Sequence, residues 1–132
     1  MNNRRKLLVA LGAGALAAPL TSFAQQKSKV WRIGFLGAAS ASGFAGRVEA
    51  LRAGLRDLGY VEGKNILIEY RWAEGKFERL PELAAELVRL KVEVIVTAGA
   101  PAILAAKSAT TTIPLVMATS GDPVALGVVA SL

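Results

Sequence analysis

The apolar positions of this chain follow two alternating periods. Residues 30–36 form a mostly apolar run closed by Gly37, as expected of a buried strand. Phe44, Val48, Leu51, Leu55 and Leu58 then recur every three or four residues, with Arg47, Glu49, Arg52, Arg56 and Asp57 on the other faces. That spacing predicts one apolar stripe along a helix, and Gly59 stands where such a helix stops. A Glu62-Gly63-Lys64-Asn65 turn leads into a second strand over 66–72, whose later half alternates as a less buried strand does. Leu80, Leu83, Ala84, Leu87, Val88 and Leu90 mark a second amphipathic helix, with Pro81 tolerated in its first turn. A third strand is expected over 92–97, an Ala-rich helix from Pro101 to about Ser108, and a fourth strand over 115–119. Asp122-Pro123 then opens a fourth helix that is still running at Leu132.

Strands alternating with helices imply βαβ units, right-handed crossovers and a parallel sheet with helices on both faces. The expected class is therefore α/β. Residues 124–132 carry no stop signal and no following strand, so the expectation is a truncated α/β lobe.

The segment ahead of the first strand has a different pattern. Arg4, Arg5 and Lys6 precede an apolar stretch over residues 7–20, and Ser22-Phe23-Ala24 puts small residues at −3 and −1 of a signal-peptidase site. The apolar stretch is short of the roughly 20 residues of a membrane span and is interrupted by Pro19. The reading is a signal peptide over 1–24, a polar lead-in over 25–29, and a lobe over 30–132, exported to the periplasm. The segment from Arg4 to Leu8 also resembles a twin-arginine signal, although Asn3 replaces the usual Ser or Thr and Val9 stands where Lys is common. With no Cys in the chain, an acylated lipoprotein anchor at the cleavage site is excluded.

This reading changes the charge. The 132 residues carry a formal +6, but the 108 left after the signal hold 13 basic and 10 acidic residues, a balance of +3. Basic and acidic residues are interspersed, as on solvated helix faces, so nucleic acid is not an expected partner. The absence of His and Cys removes most transition-metal sites, thiol catalysis and any Ser-His-Asp arrangement. No cofactor and no catalytic residue is expected. Glu69 and Glu93 lie within strands, and Glu74, Glu78, Glu82 and Glu86 read as a solvated helix face. An exported α/β enzyme would have only Asp122 with Ser120 as a polar pair, and nothing activates either residue.

In a parallel sheet, ligands bind beyond the carboxyl ends of the strands. Three small, polar or glycine-containing segments fall there, at residues 37–43, 97–101 and 119–123. The first is neither G-x-G-x-x-G nor a P-loop. Its Ser40 and Ser42 offer hydroxyls to a ligand carboxylate, while Ser42 equally suits the N-cap of the helix near Phe44. Asp122 is either a helix cap before Pro123 or a partner for a ligand ammonium, and both roles fit one carboxylate. Thr97 reads either as a mouth residue or as the last strand residue with a locally bonded hydroxyl. Trp31, Tyr70 and Trp72 suit packing better than ligand stacking.

Residues 51–65 (LRAGLRDLGYVEGKN), 68–75 (IEYRWAEG), 83–88 (LAAELV), 111–114 (TTIP) and 121–124 (GDPV) together resemble the periplasmic substrate-binding components of ABC transporters, in the family whose members bind tryptophan and tyrosine. The resemblance implies a periplasmic-binding-protein type I-like first lobe, with the second lobe absent. It also implies capture of a small solute, such as an amino acid, between two lobes and its delivery to an ABC permease in the inner membrane. The full-length protein would be a monomer. Carried onto the strand mouths, the ligand contacts fall on Ser40, Ser42, Thr97, Gly99, Ser120 and Asp122. A ligand-sensing module for a membrane receptor is the other reading of such a lobe.

The leader reading predicts that the exported protein begins at Gln25. N-terminal sequencing of the secreted product checks this, and a product that still begins at Met1 overturns it.

Overall fold

The order of elements expected from the periodicity is the order found in the computed structural model, which describes residues 29–118 and residue 125. β1 (Trp31–Gly37) is followed by α1 (Ala45–Asp57), β2 (Ile66–Trp72), a 3-10 turn (Phe77–Arg79), α2 (Leu80–Arg89), β3 (Val94–Ala98), α3 (Ala100–Ala109) and β4 (Leu115–Met117). The expected fourth helix and the signal peptide lie outside the described residues. Among the described residues no helix is long and apolar enough to cross a membrane.

All three strand pairings are parallel, in the order β2-β1-β3-β4. Successive strand residues face opposite sides, so β1 feeds two cores. Leu36 joins Ile95 of β3 with Leu80, Leu83, Ala84 and Leu87 of α2 and Ala102 and Ala106 of α3. On the other face Phe35 joins Val96, Ala98, Phe44 and Val48, with Leu51, Ile68, Tyr70 and Trp72 half-buried around them. The helix pair thus seals one face, and α1 covers the other through a narrow stripe in which Val48 alone is buried. Gly34 lets α2 come close, since a Cβ there would sit 3.0 Å from both terminal carbons of Leu87.

The end of α1 follows the sequence pattern. Gly59 adopts φ 90°, its N–H donates to Arg56 O at 2.9 Å, and that of Tyr60 donates to Leu55 O at 2.8 Å. This pair of bonds is a Schellman stop. Asn65 then ties the following turn together: its Oδ1 accepts from the Val61 N–H at 2.7 Å and its Nδ2 donates to Gly59 O at 2.9 Å.

β2 lies at the edge of the four-stranded sheet, as its alternation predicts, and its outer rim is partly capped. The Ala73 N–H donates to Gly37 O and the Trp31 N–H to Asn65 O, so odd-numbered residues bond inward to β1 and even-numbered carbonyls point outward. Of those, Ile66 O accepts from the Gly63 N–H at 2.9 Å and Tyr70 O from the Arg71 guanidinium at 2.8 Å. Arg71 also pairs with Glu86 at 2.8 Å, so Glu86 is a docking partner for β2 as well as a residue of the polar face of α2. Covering rim carbonyls with a charged side chain discourages pairing with another chain.

β3 begins at Val94, two residues later than the apolar run suggests. Val92 is buried in the loop before it, and Glu93 is turned to the amino end of β1. Its carboxylate accepts the Arg32 N–H at 2.9 Å and pairs with Lys29 at 3.3 Å. The Arg32 N–H is the main reason its pKa is held below the usual carboxylate value.

Two substitutions report the opposite demands of helix and core. Gly46→Ala in α1 meets nothing within 4 Å and should raise the unfolding free energy by about 0.5–1 kcal/mol. Leu87→Ala, at a fully buried position, should lower it by about 2–5 kcal/mol. Urea unfolding followed by circular dichroism checks both.

Candidate functional site

The strand order places a topological switch between β1 and β3. The chain leaves β1 for β2 on one side, then returns across the sheet to β3 on the other, so the loops leaving β1 and β3 diverge around a crevice. Open α/β sheets bind ligands at such a point. The two loops touch here: the Ala38 N–H donates to Ala98 O at 3.0 Å, and a Cβ on Gly99 would lie 2.9 Å from the Ala38 Cβ.

Gly99 is the N-cap of α3, with φ 99° and ψ 143°. A side chain disfavours that backbone conformation, so glycine suits it on two counts. Its carbonyl accepts from the Ala102 and Ile103 N–H groups at 3.1 and 3.2 Å, and Pro101 contributes no N–H. The helix therefore starts later in the sequence than Gly99 and earlier than Pro101, at Ala100.

On the β1 side, Ser40 Oγ accepts the Gly43 N–H at 3.2 Å and lies 3.0 Å from Ser42 Oγ. Two hydroxyls sharing one bond between them use one proton for it. Whichever serine donates, the other keeps a proton to offer outward. The expected Ser42 cap is not made: α1 has Phe44 at its N-cap and no side-chain cap bond. The cap-like bond is instead made one turn earlier, by Ser40 within the loop.

Thr97 does not join this group. It is fully buried, its hydroxyl donates to Val116 O at 3.3 Å, and its own carbonyl accepts the Ala118 N–H at 2.8 Å. Thr97 is a strand residue, as one of the two readings has it, but Ala98 follows it in β3 and the Thr97 hydroxyl bonds across the sheet rather than locally, which fastens β4 to β3. Ser120 and Asp122 lie outside the described residues. The structure thus places Ser40 and Ser42 in the loop that follows β1 and Gly99 at the start of α3, after β3, both at the carboxyl end of the sheet.

Tyr70 and Trp72 pack as expected, whereas Trp31 is exposed. Tyr70 and Trp72 are stacked with centroids 6.1 Å apart and planes 9° apart, and Trp72 also meets Phe35 at 5.2 Å and Phe44 at 6.0 Å. Trp31 stands at the opposite end of the sheet under Lys29, whose Nζ is 3.7 Å from the ring centroid.

A polar cluster on the flank of α1 and β2 was not anticipated from the sequence. Arg52 donates to Glu49 and Glu62 at 2.7 Å each, and the Tyr70 hydroxyl donates to Glu62 at 3.2 Å. The two carboxylates raise the Arg52 pKa further, and burial is the first cause that raises that of Tyr70. The three-residue spacing of Glu49 and Arg52 on α1 is a legible sign of their pair. Glu62 joins only through the turn. The cluster borders an open cleft of about 500 Å³ lined by Leu55, Arg56, Tyr60 and Ile68 as well, away from the strand mouths.

Chemically, the mouth of the sheet offers hydroxyl and backbone groups. Among the described residues no group of three or more His, Cys, Asp or Glu is placed to hold a metal.

Known proteins match this chain along most of its length. Residues 33–132 match the family profile described as ABC transporter substrate binding protein. A "Tyrosine-binding protein" of Clostridioides difficile strain R20291 is 36% identical over 78 residues, which are 59% of this chain and 23% of the relative. A conserved domain protein of Vibrio cholerae O1 biovar El Tor superposes with a TM-score of 0.75 at 30% identity, over 79% of this chain and 35% of that one. A domain from Streptococcus pneumoniae, solved in complex with L-Trp, gives a TM-score of 0.72 at 25% identity, over 79% and 35%. The chain therefore spans about a third of the solved relatives and less of the curated one.

The crevice depends on a glycine at 99. Gly99→Ala should cost more than about 1 kcal/mol of stability, from positive φ and the approach to Ala38. Gly43→Ala, whose new Cβ would make ordinary contacts from 3.5 Å outward, should cost less. Urea denaturation of the two variants side by side checks the order.

Proposed function

Because this chain belongs to the ABC transporter substrate binding protein family, we propose that its switch-point crevice is one half of a solute-binding cleft. Residues 30–132 form the first lobe of a two-lobed protein, and the facing lobe closes over the solute. A single lobe contacts a ligand without enclosing it, and closure about a hinge supplies the rest. The leader over 1–24 directs the protein to the periplasm, where it hands the solute to an ABC permease. It acts as a monomer and as a binder, not as an enzyme.

The feature that supports this reading is the pair of Ser40 and Ser42 hydroxyls in the loop after β1, whose first residue, Ala38, is approached by the Gly99 turn after β3. The spare hydroxyl proton of the serine pair suits a ligand carboxylate, a charge-assisted bond stronger than a neutral one. Thr97 supports the site from within by holding β4. Ser120 and Asp122 follow β4 in sequence, and the Asp122 carboxylate is assigned to the ligand ammonium. Carboxylate and ammonium together define an amino acid. The relatives named for tyrosine and solved with L-Trp favour one with an aromatic side chain.

Calorimetric titration of the full-length, two-lobed protein with L-tyrosine, L-tryptophan and L-alanine tests the reading. The expected result is saturable binding of the two aromatic amino acids, weakened about tenfold or more by Ser40→Ala or by Asp122→Asn, because each removes a bond to a charged group. Folded protein that binds none of the three overturns it.

A further inference from the structure

We propose that Trp72 is a positioning residue of this site: its indole, bedded on the bare Cα of Gly37 and stacked against Phe44, sets where the loop carrying Ser40 and Ser42 stands. The proposal rests on the reading of that loop as a ligand contact.

Residues 38–44 leave the sheet at Gly37 and re-enter regular structure at α1. Among the described residues, the hydrogen bonds of Ser40, Ser42 and Gly43 run within the loop and into the first residue of α1. The place of the serine pair is therefore decided by what holds the two ends of the loop.

Trp72 and the residues after it hold both. At the first end, the N–H groups of Ala73, Glu74 and Gly75 donate to the carbonyls of Gly37, Ala39 and Ala38 at 2.9, 3.2 and 2.9 Å. At the second end, Phe44 is buried with its ring 6.0 Å from that of Trp72 and inclined by 20°. The indole reaches this position only because Gly37 has no side chain: a methyl there would run into the six-membered ring of Trp72. Phe35 and Tyr70 flank the indole at 5.2 and 6.1 Å, which limits its freedom to turn aside. A shift of Phe44 is thus passed to the indole, and a shift of the indole to the serine loop.

Trp72 also makes the coupling observable, because the other tryptophan of these 132 residues, Trp31, stands at the far end of the sheet. The full-length protein with every tryptophan except Trp72 replaced by Phe, excited at 295 nm and titrated with L-tyrosine, should show a saturable change in emission. Its midpoint should match the one found by calorimetry. Heat of binding with unchanged emission overturns the positioning role and leaves the binding reading standing. No heat of binding removes the reading on which the proposal rests, and the proposal with it.

Substitution supplies the second arm. Trp72→Phe keeps an aromatic ring over Gly37 and should hold affinity within about threefold, whereas Trp72→Ala should lower it about tenfold. Ser40→Ala should then cost markedly less in the Trp72→Ala protein than in the parent, because the hydroxyl is already misplaced. Equal costs in the two backgrounds overturn the proposal. If Trp72→Ala does not fold, the decision passes to Trp72→Phe, whose failure to retain affinity in a folded protein, like a silent emission signal, overturns it.

Discussion

Both hydrogen-bonding edges of β1 are occupied by parallel strands, β2 on one side and β3 on the other, and most of the molecule follows from that. Parallel neighbours cannot be joined by a tight turn, so each connection crosses a face of the sheet with a helix. Right-handed crossing to the left of β1 puts α1 on one face, and crossing to the right puts α2 and α3 on the other. The alternating side chains of β1 are buried on both sides, with Phe35 and Leu36 among the least exposed residues of the chain. The same arrangement sends the loops after β1 and β3 apart, which opens the crevice proposed to meet the solute.

Small residues stand where the loops after β1 and β3 approach each other. A Cβ on Gly99 would lie 2.9 Å from that of Ala38, closer than two side chains tolerate. Gly37 similarly makes room for Trp72. Larger residues at these positions would push the loops apart, so the small-residue content of the mouths serves the packing of neighbouring loops before any ligand is considered. The asymmetry of the two faces adds to this. Two helices and an aliphatic core seal one face, whereas α1 and a cluster of aromatic rings cover the other. The polar groups proposed to bind solute hang from the more sparsely covered face, on a loop that Trp72 and the residues after it hold at both ends.

Much of the fold was legible because its periods are clean. The early part of the stripe, Phe44, Val48 and Leu51, the stop at Gly59 and the lesser burial of β2 correspond to observed features, whereas Leu58 at the end of the stripe is exposed. The misreadings share a cause, which is that polar side chains choose partners distant in sequence. Ser42 has the composition of a helix cap, yet the Ser40 hydroxyl captures the nearby N–H first and α1 begins uncapped. Glu86 has the spacing of a solvated helical residue, yet Arg71 of an edge strand reaches it. Glu93 lies in an apolar run that looks like strand, yet it serves the backbone of Arg32 on β1. Part of the candidate site was legible too. Small and polar residues at strand ends marked Ser40, Ser42 and Gly99, but Thr97 had two open readings until its neighbour on β4 was known.

The amino-acid sequence by itself determined the elements, the α/β class and the segments that would stand at the strand mouths. These depend on local period, turn residues and composition, each readable within a few turns of chain. Tertiary structure alone decided that β1 and β3 are neighbours, that their two loops touch, and that Trp72 rests on Gly37. These are contacts between residues 35 to 61 positions apart. No local pattern encodes them, because they arise only when the sheet is assembled and its side chains compete for the same space.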